Sequence, residues 1–284
     1  ITGTILGTVR DSSAAVIAGS KILITNEATN VEYSAETGAT GEFVAPNLPP
    51  GVYTVSAEAN GFTRRVVKGV TVLATRSERV ELVLDPGTVS QVIEVQAGAP
   101  VVNTENATIG NIMQSQAIIT LPVNGRTLDR LIRISAGVTT DSASNPRVAG
   151  SAYWGGVQFS VDGISFNDMG NGGGAYSFGS GLATAPSIDA VSEFKIDSNN
   201  QKAEYEGSVA VSIVTKSGTA QFRGSVYEFN RNRAYAAKNG RATGLPKPPF
   251  NRNEYGFTFG GPVLKNRTFF FGGYEGLREH SSLN

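Results

Sequence analysis

The sequence predicts a mainly β protein with three parts in chain order: a seven-stranded β-sandwich, an α+β domain and antiparallel strands of an incomplete β-barrel. Two observations support this prediction. Short alternating strands separated by turn signals fill residues 1–86, and longer strands rich in aromatic residues and glycine fill residues 219–284. The composition agrees with both, because 34 of the 284 residues are glycine and only 17% are charged, which is typical of an extracytoplasmic β-rich protein.

The first part contains about seven short strand-like segments over residues 1–86. One of them is GVYTVSAEA, residues 51–59, whose side chains point alternately to the two faces of a strand. Turn-forming groups lie between the segments, among them Pro49-Pro50-Gly51 and Asn60-Gly61. A small β-sandwich is the architecture that such closely spaced strands favour.

The chain changes character after the Asp85-Pro86-Gly87 turn. Residues 87–112 are low in charge and linker-like, although the segment VIEVQ within them has the composition of a strand. Residues 113–218 mix helical and strand-like segments with long glycine-rich loops, which predicts an α+β domain that presents loops. Arg126, in the sequence NGR, is expected to have a structural role in a turn.

The C-terminal part contains three strand-like runs, QFRGSVYEFN, NEYGFTFGG and RTFFFGGYEG. Each is about 9 or 10 residues long, close to the 9–11 residues of a tilted transmembrane β-strand. In the second run Tyr255, Phe257 and Phe259 alternate with small residues, so the aromatic side chains are expected on one face. Pro262 and Asn266 are expected to mark the turn between the second and third runs.

The residue types that catalysis usually requires are scarce. The chain has no cysteine and a single histidine, His280, which is close to the last residue. The Asp162-Gly163 pair is better explained as a turn than as part of a catalytic site, and the glycines at 172–174 lack the context of a phosphate-binding loop. The sequence therefore predicts no catalytic residue, no metal site and no cofactor. The 24 basic residues equal the 24 acidic ones, which predicts no nucleic-acid partner.

Several long motifs, in this order, resemble Oar-like TonB-dependent outer-membrane receptors. The segment ETGATGEFVAPNLPPGVYTVSAEANGF resembles their carboxypeptidase regulatory-like (transthyretin-like) domain, which has a carbohydrate-binding-like fold. The segments LPVNGRTLDRLIRISAGV, FSVDGISFND and SEFKIDSNNQKAEYEGSVAVSIVTKSGT resemble their plug domain, and the aromatic runs resemble their first barrel strands. The resemblance assigns residues 1–86 to the regulatory-like domain, 87–112 to a linker, 113–218 to the plug and 219–284 to the barrel.

The resemblance implies a non-enzymatic transport receptor in the outer membrane, with a periplasmic N-terminal domain and ligand uptake energised by a TonB-type protein. By position, the segment that would contact TonB comprises Val92, Ile93, Glu94 and Val95. The ligand would contact loops of the plug, where the candidate residues are Arg147, Tyr153, Trp154, Asn167, Asp168 and Tyr176. The aromatic strands would contact outer-membrane lipid, and the sequence does not identify the ligand.

Three strands cannot close a barrel, and an open sheet edge is not stable in hydrocarbon. The sequence therefore leaves two alternatives. The chain is either the N-terminal portion of a longer receptor, or a structural subunit of an extracellular fibre or surface assembly. In the second case, self-association by β-strand pairing between copies would complete the sheet.

Overall fold

A computed structural model shows two compact units in the chain, Ile1–Thr215 and Lys216–Asn284. The fold is mainly β, as the sequence predicts. The residues that the structure describes are 1–87, 92–96, 109–121, 126, 128–135, 138–140, 146–148, 157–165, 167–168, 173–174, 176–177, 181–182, 186–199, 209–237, 247 and 249–281.

The first unit begins with a β-sandwich. Its strands are β1 Gly3–Asp11, β2 Lys21–Asn26, β3 Glu32–Glu36, β4 Glu42–Leu48, β5 Gly51–Glu58, β6 Arg64–Val72, β7 Ser77–Leu84 and β8 Val92–Gln96. One sheet has the order β4-β1-β7, and the other has the order β3-β2-β5-β6-β8. The seven predicted strands are present as β1 to β7. The eighth, β8, is the VIEVQ segment of the predicted linker, and it pairs in parallel with β6.

The sandwich has a continuous apolar core because alternate residues of its strands point inward. In β4, for example, Phe43, Ala45 and Leu48 are buried whereas Val44 is 60% exposed. Tyr53 is fully buried, and its hydroxyl donates a hydrogen bond to the Pro49 carbonyl at 2.6 Å, so its one polar atom is satisfied. Burial raises the pKa of Tyr53 to about 12.

The α+β domain continues the first unit. Its elements are β9 Ile109–Gln114, α1 Ser115–Thr120, α2 Leu128–Arg133, β10 Val138–Thr140, β11 Pro146–Val148, β12 Val157–Val161, β13 Ile164–Ser165, β14 Asn167–Asp168, β15 Gly173–Gly174, β16 Tyr176–Ser177, β17 Gly181–Leu182, a 3-10 turn at Ile188–Ala190, β18 Val191–Asn199 and β19 Val209–Thr215. A five-stranded sheet has the order β13-β12-β19-β18-β9. Apolar side chains of this sheet pack with Ile118, Leu131 and Ile132 of the two helices to form a second core.

The second unit is a three-stranded antiparallel sheet. It comprises β20 Arg223–Asn232, β21 Phe250–Leu264 and β22 Thr268–Ser281, in the order β20-β21-β22. The last two strands are 15 and 14 residues long, so they exceed the predicted length. The prediction for Pro262 was wrong: it lies inside β21, where the register shifts between Pro262 and Leu264. That irregularity accommodates a residue without an amide hydrogen, and Asn266, with a φ of 57°, forms the turn.

The described parts of the chain include no helix that is long and apolar enough to cross a membrane.

Candidate interaction surfaces

Val92, Ile93, Glu94 and Val95, the predicted TonB-contact residues, all lie on β8. Their partners on β6 are Arg64, Arg65, Val66 and Val67, in that order. The Lys68 Nζ atom lies 2.9 Å from the Glu94 Oε2 atom, and these two side chains are about half exposed. Strand β8 is the last strand in the order of its sheet. The edge of β8 that faces away from β6 could therefore accept another strand.

The predicted ligand-binding residues lie on three separate two-stranded ladders where they are described. Arg147 is opposite Thr139 in the β10–β11 pair. Asn167 and Asp168 are opposite Gly174 and Gly173 in the β14–β15 pair, and Tyr176 is opposite Leu182 in the β16–β17 pair. Tyr153 and Trp154 lie outside the described residues. A ligand site shared by these residues therefore stays a prediction.

A buried polar contact joins the sandwich to the sheet of the α+β domain. The Ala74 amide donates a hydrogen bond to the Glu193 Oε2 atom at 2.9 Å, and the Lys195 ammonium donates one to the Thr75 hydroxyl. Lys195 also pairs with Asp197 at 2.7 Å, and all three charged residues are at most 6% exposed. We call the Ala74–Glu193 and Thr75–Lys195 contacts the latch.

The loop that forms the latch connects β6 to β7 and is held against β1. Thr75 adopts a left-handed backbone conformation with a φ of 60°. Its amide donates to the Thr2 carbonyl at 3.0 Å, and the Arg76 carbonyl accepts from the Thr4 amide at 2.9 Å. The backbone of the sandwich therefore fixes the position from which Ala74 and Thr75 contact β18.

Burial raises the pKa of the Glu193 carboxyl, while the Ala74 amide, Lys195 and Arg76 oppose that shift. The ordering of these causes means that desolvation dominates over the favourable contacts. Sequence reasoning missed this cluster. In SEFKIDS the charged Glu193, Lys195 and Asp197 alternate with Phe194 and Ile196, a pattern that usually indicates a strand with one solvated face.

The residues that the sequence analysis weighed for catalysis, Asp162 and His280, lie in a turn and on an exposed strand. Asp162 and Gly163 form the turn between β12 and β13, with φ values of 50° and 85°, which confirms the turn interpretation. The Asp162 carboxylate accepts hydrogen bonds from the Thr215 amide at 2.9 Å and the Thr215 hydroxyl at 2.8 Å. His280 is exposed on β22, opposite Asn251. Across the described residues, no cluster of histidine and acidic side chains could hold a metal ion.

Arg126 has the structural role that the NGR turn suggests. Its backbone φ is 47°, and its guanidinium lies 2.5 Å from the Asp189 carboxylate, which precedes β18. Both side chains are largely buried, at 17% and 10% exposure. The pair therefore ties the segment before α2 to the segment before β18, and it is shielded from solvent more than a surface ion pair would be.

The three-stranded sheet has an aromatic face. The ring centroids of Phe222 and Phe259 are 5.8 Å apart in nearly parallel planes, and Phe270 lies 5.6 Å from Phe259. Phe257 and Tyr274 are 6.3 Å apart on the same face. These side chains are between 38% and 63% exposed, so they form a contiguous apolar surface.

The opposite face of this sheet is small and polar. The hydroxyls of Ser225 and Thr258 are 2.7 Å apart across the β20–β21 pair. The Tyr227 ring lies across Gly256, where an added Cβ atom would be 2.5 Å from the ring hydroxyl, and that hydroxyl donates to Glu275 of β22 at 2.9 Å. The small residues of β21 thus make room for an aromatic bridge over the central strand.

Comparisons with known proteins match both ends of the chain. A carboxypeptidase regulatory-like domain matches residues 4–85, and an outer membrane beta barrel domain matches residues 214–284. The TonB-dependent transporter Oar of Myxococcus xanthus is 26% identical over 95% of this chain. The alignment covers 26% of that relative, so the chain spans about a quarter of its length.

Solved structures resemble this chain only distantly. A putative carbohydrate binding protein from Bacteroides uniformis has 18% identity and a TM-score of 0.26, covering 30% of this chain and 41% of that one. Chlorocatechol 1,2-dioxygenase from Pseudomonas putida has 12% identity and a TM-score of 0.24, covering 30% of this chain and 60% of that one. At these TM-scores the likeness supports no conclusion about this chain.

The sandwich coincides with the carboxypeptidase regulatory-like match, and the aromatic three-stranded sheet coincides with the outer membrane beta barrel match. The chain also resembles the TonB-dependent transporter Oar, because the similarity between them runs over nearly the whole length of this chain. The resemblance predicted from the sequence motifs and the outer-membrane location are thereby confirmed.

Proposed function

We propose that this chain is the N-terminal portion of a TonB-dependent outer-membrane receptor that takes up a ligand with energy supplied through a TonB-type periplasmic protein. The observation that carries the proposal is its similarity to the transporter Oar along 95% of the chain. A transporter binds and moves its ligand, so we expect a non-enzymatic function. The turn role of Asp162 and the exposed position of His280 agree with that expectation.

The TonB-type partner contacts β8 by adding a strand. A partner strand needs an extended segment with a free row of backbone donors and acceptors. The segment Val92–Gln96 is extended and lies last in its sheet, which supports its use as that edge. The aromatic face of the three-stranded sheet contacts lipid, because outer-membrane strands alternate apolar side chains toward lipid with small or polar ones toward the lumen.

The ligand contacts the loops of the α+β domain, where Arg147, Asn167, Asp168 and Tyr176 are the described candidates and Tyr153 and Trp154 the remaining ones. An arginine, two carboxamide or carboxylate groups and several aromatic rings can together bind a polar ligand that has an apolar face. These candidate residues do not specify the chemical class of the ligand. The proposed domain boundaries are those predicted from the sequence for the N-terminal sandwich, the linker, the plug and the first barrel strands.

Binding of a periplasmic TonB fragment to the native receptor, solubilised from outer membranes in detergent, tests the proposal. Ile93→Pro removes a backbone donor and disfavours the extended pairing, so we expect binding to be lost. Ile93→Val keeps the strand and serves as the matched control, with unchanged binding expected. Equal binding by the proline variant and the native receptor would contradict a role for β8 in TonB contact.

The fibre alternative rests on β20 and β22, the two outer strands of the three-stranded sheet, which pair with no strand other than β21 in the described part of the chain. The mass of the native protein separates the two functions. A receptor is several times heavier than the 29.8 kDa of this chain, whereas a fibre subunit has about that mass and forms large assemblies. The barrel domain match favours the receptor.

A further inference from the structure

Strand β6 links the predicted TonB-contact strand, β8, to the latch. Strand β8 pairs along β6 from Arg64 to Lys68. Strand β6 ends at Val72, and the loop that follows it contains Ala74 and Thr75, which bond β18. A continuous series of backbone pairing and buried hydrogen bonds therefore runs from β8 through the sandwich to the sheet of the α+β domain.

The two ends of this series differ in how they are held. At the β8 end, the side chains of the Lys68–Glu94 pair are about half exposed to solvent, and such exposed pairs contribute little to stability. At the latch, Glu193 and Lys195 are at most 6% exposed, and their partners come from the sandwich. Separating the latch would leave buried charges without those partners, which is costly.

We infer that the sandwich is a rigid adaptor that transmits the pull of the TonB-type partner from β8 to β18 through the latch. The inference rests on the proposed function, since it assumes that TonB engages β8. The inference specifies a route for the pulling force. The force reaches the α+β domain through the β6–β7 loop and its contacts with Glu193 and Lys195, in addition to the connection between β8 and β9. The latch stays closed while load is applied.

Ser212 offers a position from which opening of the latch can be measured. It is directly opposite Lys195 in the β18–β19 pair, and it is 1% exposed. Cysteine differs little from serine in size, and the chain contains no cysteine of its own, so Ser212→Cys introduces a single thiol. A thiol at this position reacts with a maleimide only when the surface around Lys195 becomes accessible.

The test compares Ser212→Cys alone with Ser212→Cys combined with Thr75→Val, in cells with an energised TonB system and in cells treated with an uncoupler. Thr75→Val keeps the shape of the side chain but removes the hydroxyl that accepts a hydrogen bond from the Lys195 ammonium. Thr71→Val, at an exposed site on β6, is the matched control substitution. Hydrogen exchange of the β18 amides verifies that each variant retains the fold of the sheet.

We expect the thiol to stay protected in the energised receptor with an intact latch and with Thr71→Val. With Thr75→Val we expect the labelling rate to rise about tenfold or more, and only in energised cells, as loss of a buried hydrogen bond to a charged group implies. Lys195→Met in place of Thr75→Val should raise the labelling rate at least as much, because it also removes the cation that pairs with Asp197.

Labelling of the intact latch under load would overturn the inference, because the latch would then open rather than transmit force. Protection in both latch variants under load would also overturn it, because force would then bypass the sandwich. If the TonB fragment fails to bind the native receptor, the proposed function fails and this inference falls with it. The binding measurement therefore separates the two failures.

Discussion

The sandwich and the three-stranded sheet use the same alternation of side chains for opposite purposes. In the sandwich, the large apolar residues of each strand point inward, so Phe43 and Tyr53 are at most 2% exposed. In β21, Tyr255, Phe257 and Phe259 are the exposed residues, and Gly256 and Gly260 are the buried ones. The large side chains therefore face outward in one region and inward in the other.

The alternation of large and small side chains along a strand therefore does not by itself determine which face of the strand is buried in protein. A sandwich must remove its apolar surface from water through its own second sheet. A sheet that borders lipid has no such requirement on its aromatic face, and its small residues allow aromatic rings of neighbouring strands to lie across it.

The largest effect is expected in the sandwich core. Phe43→Ala would lower the free energy of unfolding of the sandwich by about 3–5 kcal/mol, because a buried ring is replaced by a cavity. Val44→Ala, at the next and exposed residue of β4, should change it by about 0.5 kcal/mol or less. Hydrogen exchange of the β4 amides in denaturant measures both. Similar losses for the two variants would contradict the assignment of the core face.

The buried and exposed ion pairs of the first unit should also differ. Lys195→Met leaves Asp197 buried without its cation, which we expect to cost about 3–5 kcal/mol of stability. Lys68→Met removes the exposed partner of Glu94 and should cost about 0–1 kcal/mol. Chemical denaturation of the two variants makes the comparison. An equally small cost for Lys195→Met would show that the α+β sheet does not depend on this buried pair.

Glycine substitutions examine the small face of the three-stranded sheet. A Cβ atom at Gly256 would lie 2.4 Å from the Tyr274 carbonyl oxygen and 2.5 Å from the Tyr227 hydroxyl, so Gly256→Ala should cost about 1–3 kcal/mol. Gly272→Ala, where nothing lies within 4 Å, is the control and should be tolerated. The yield of folded protein in outer membranes, measured by heat-modifiable gel mobility, reports both. Normal yield for Gly256→Ala would contradict the close approach of Tyr227.

The smallest effect concerns pH. Burial raises the pKa of Glu193 and of Glu78 above the ordinary value of 4.5. Each carboxyl therefore binds its proton more readily in the folded chain, so its contribution is fully present below about pH 4.5 and is lost as pH rises through the raised pKa. Asp11 has the opposite effect, because a hydrogen bond from the Ser13 hydroxyl lowers the pKa of its carboxyl. The contribution of Asp11 to stability is therefore lost as the pH falls.

Glu193→Gln should therefore flatten the decline in stability as the pH rises above about 4.5, while retaining an oxygen that accepts a hydrogen bond from the Ala74 amide. Unfolding curves collected across that range for the native protein and the variant check this expectation. Glu78→Gln should reduce the same slope independently, since Glu78 lies on β7 rather than in the latch. An unchanged slope in both variants would show that other groups set the pH dependence.

The sequence by itself determined the mainly β class, the seven strands of the sandwich, the turn at Asp162-Gly163 and the aromatic face of β21. These features are local, because strand alternation and turn chemistry depend on residues close together in the chain. The long motifs added the Oar-like relationship, which the comparisons confirm.

Only the tertiary structure decided where the charged residues of β18 lie and what β8 pairs with. Glu193, Lys195 and Asp197 alternate like a solvated face, yet a loop more than a hundred residues earlier in the chain contacts Glu193 and Lys195. VIEVQ has the composition of a strand, but nothing within it specifies parallel pairing with β6. Both outcomes depend on contacts between segments distant in sequence, and burial of a charge is set by the partner that approaches it rather than by the residues beside it.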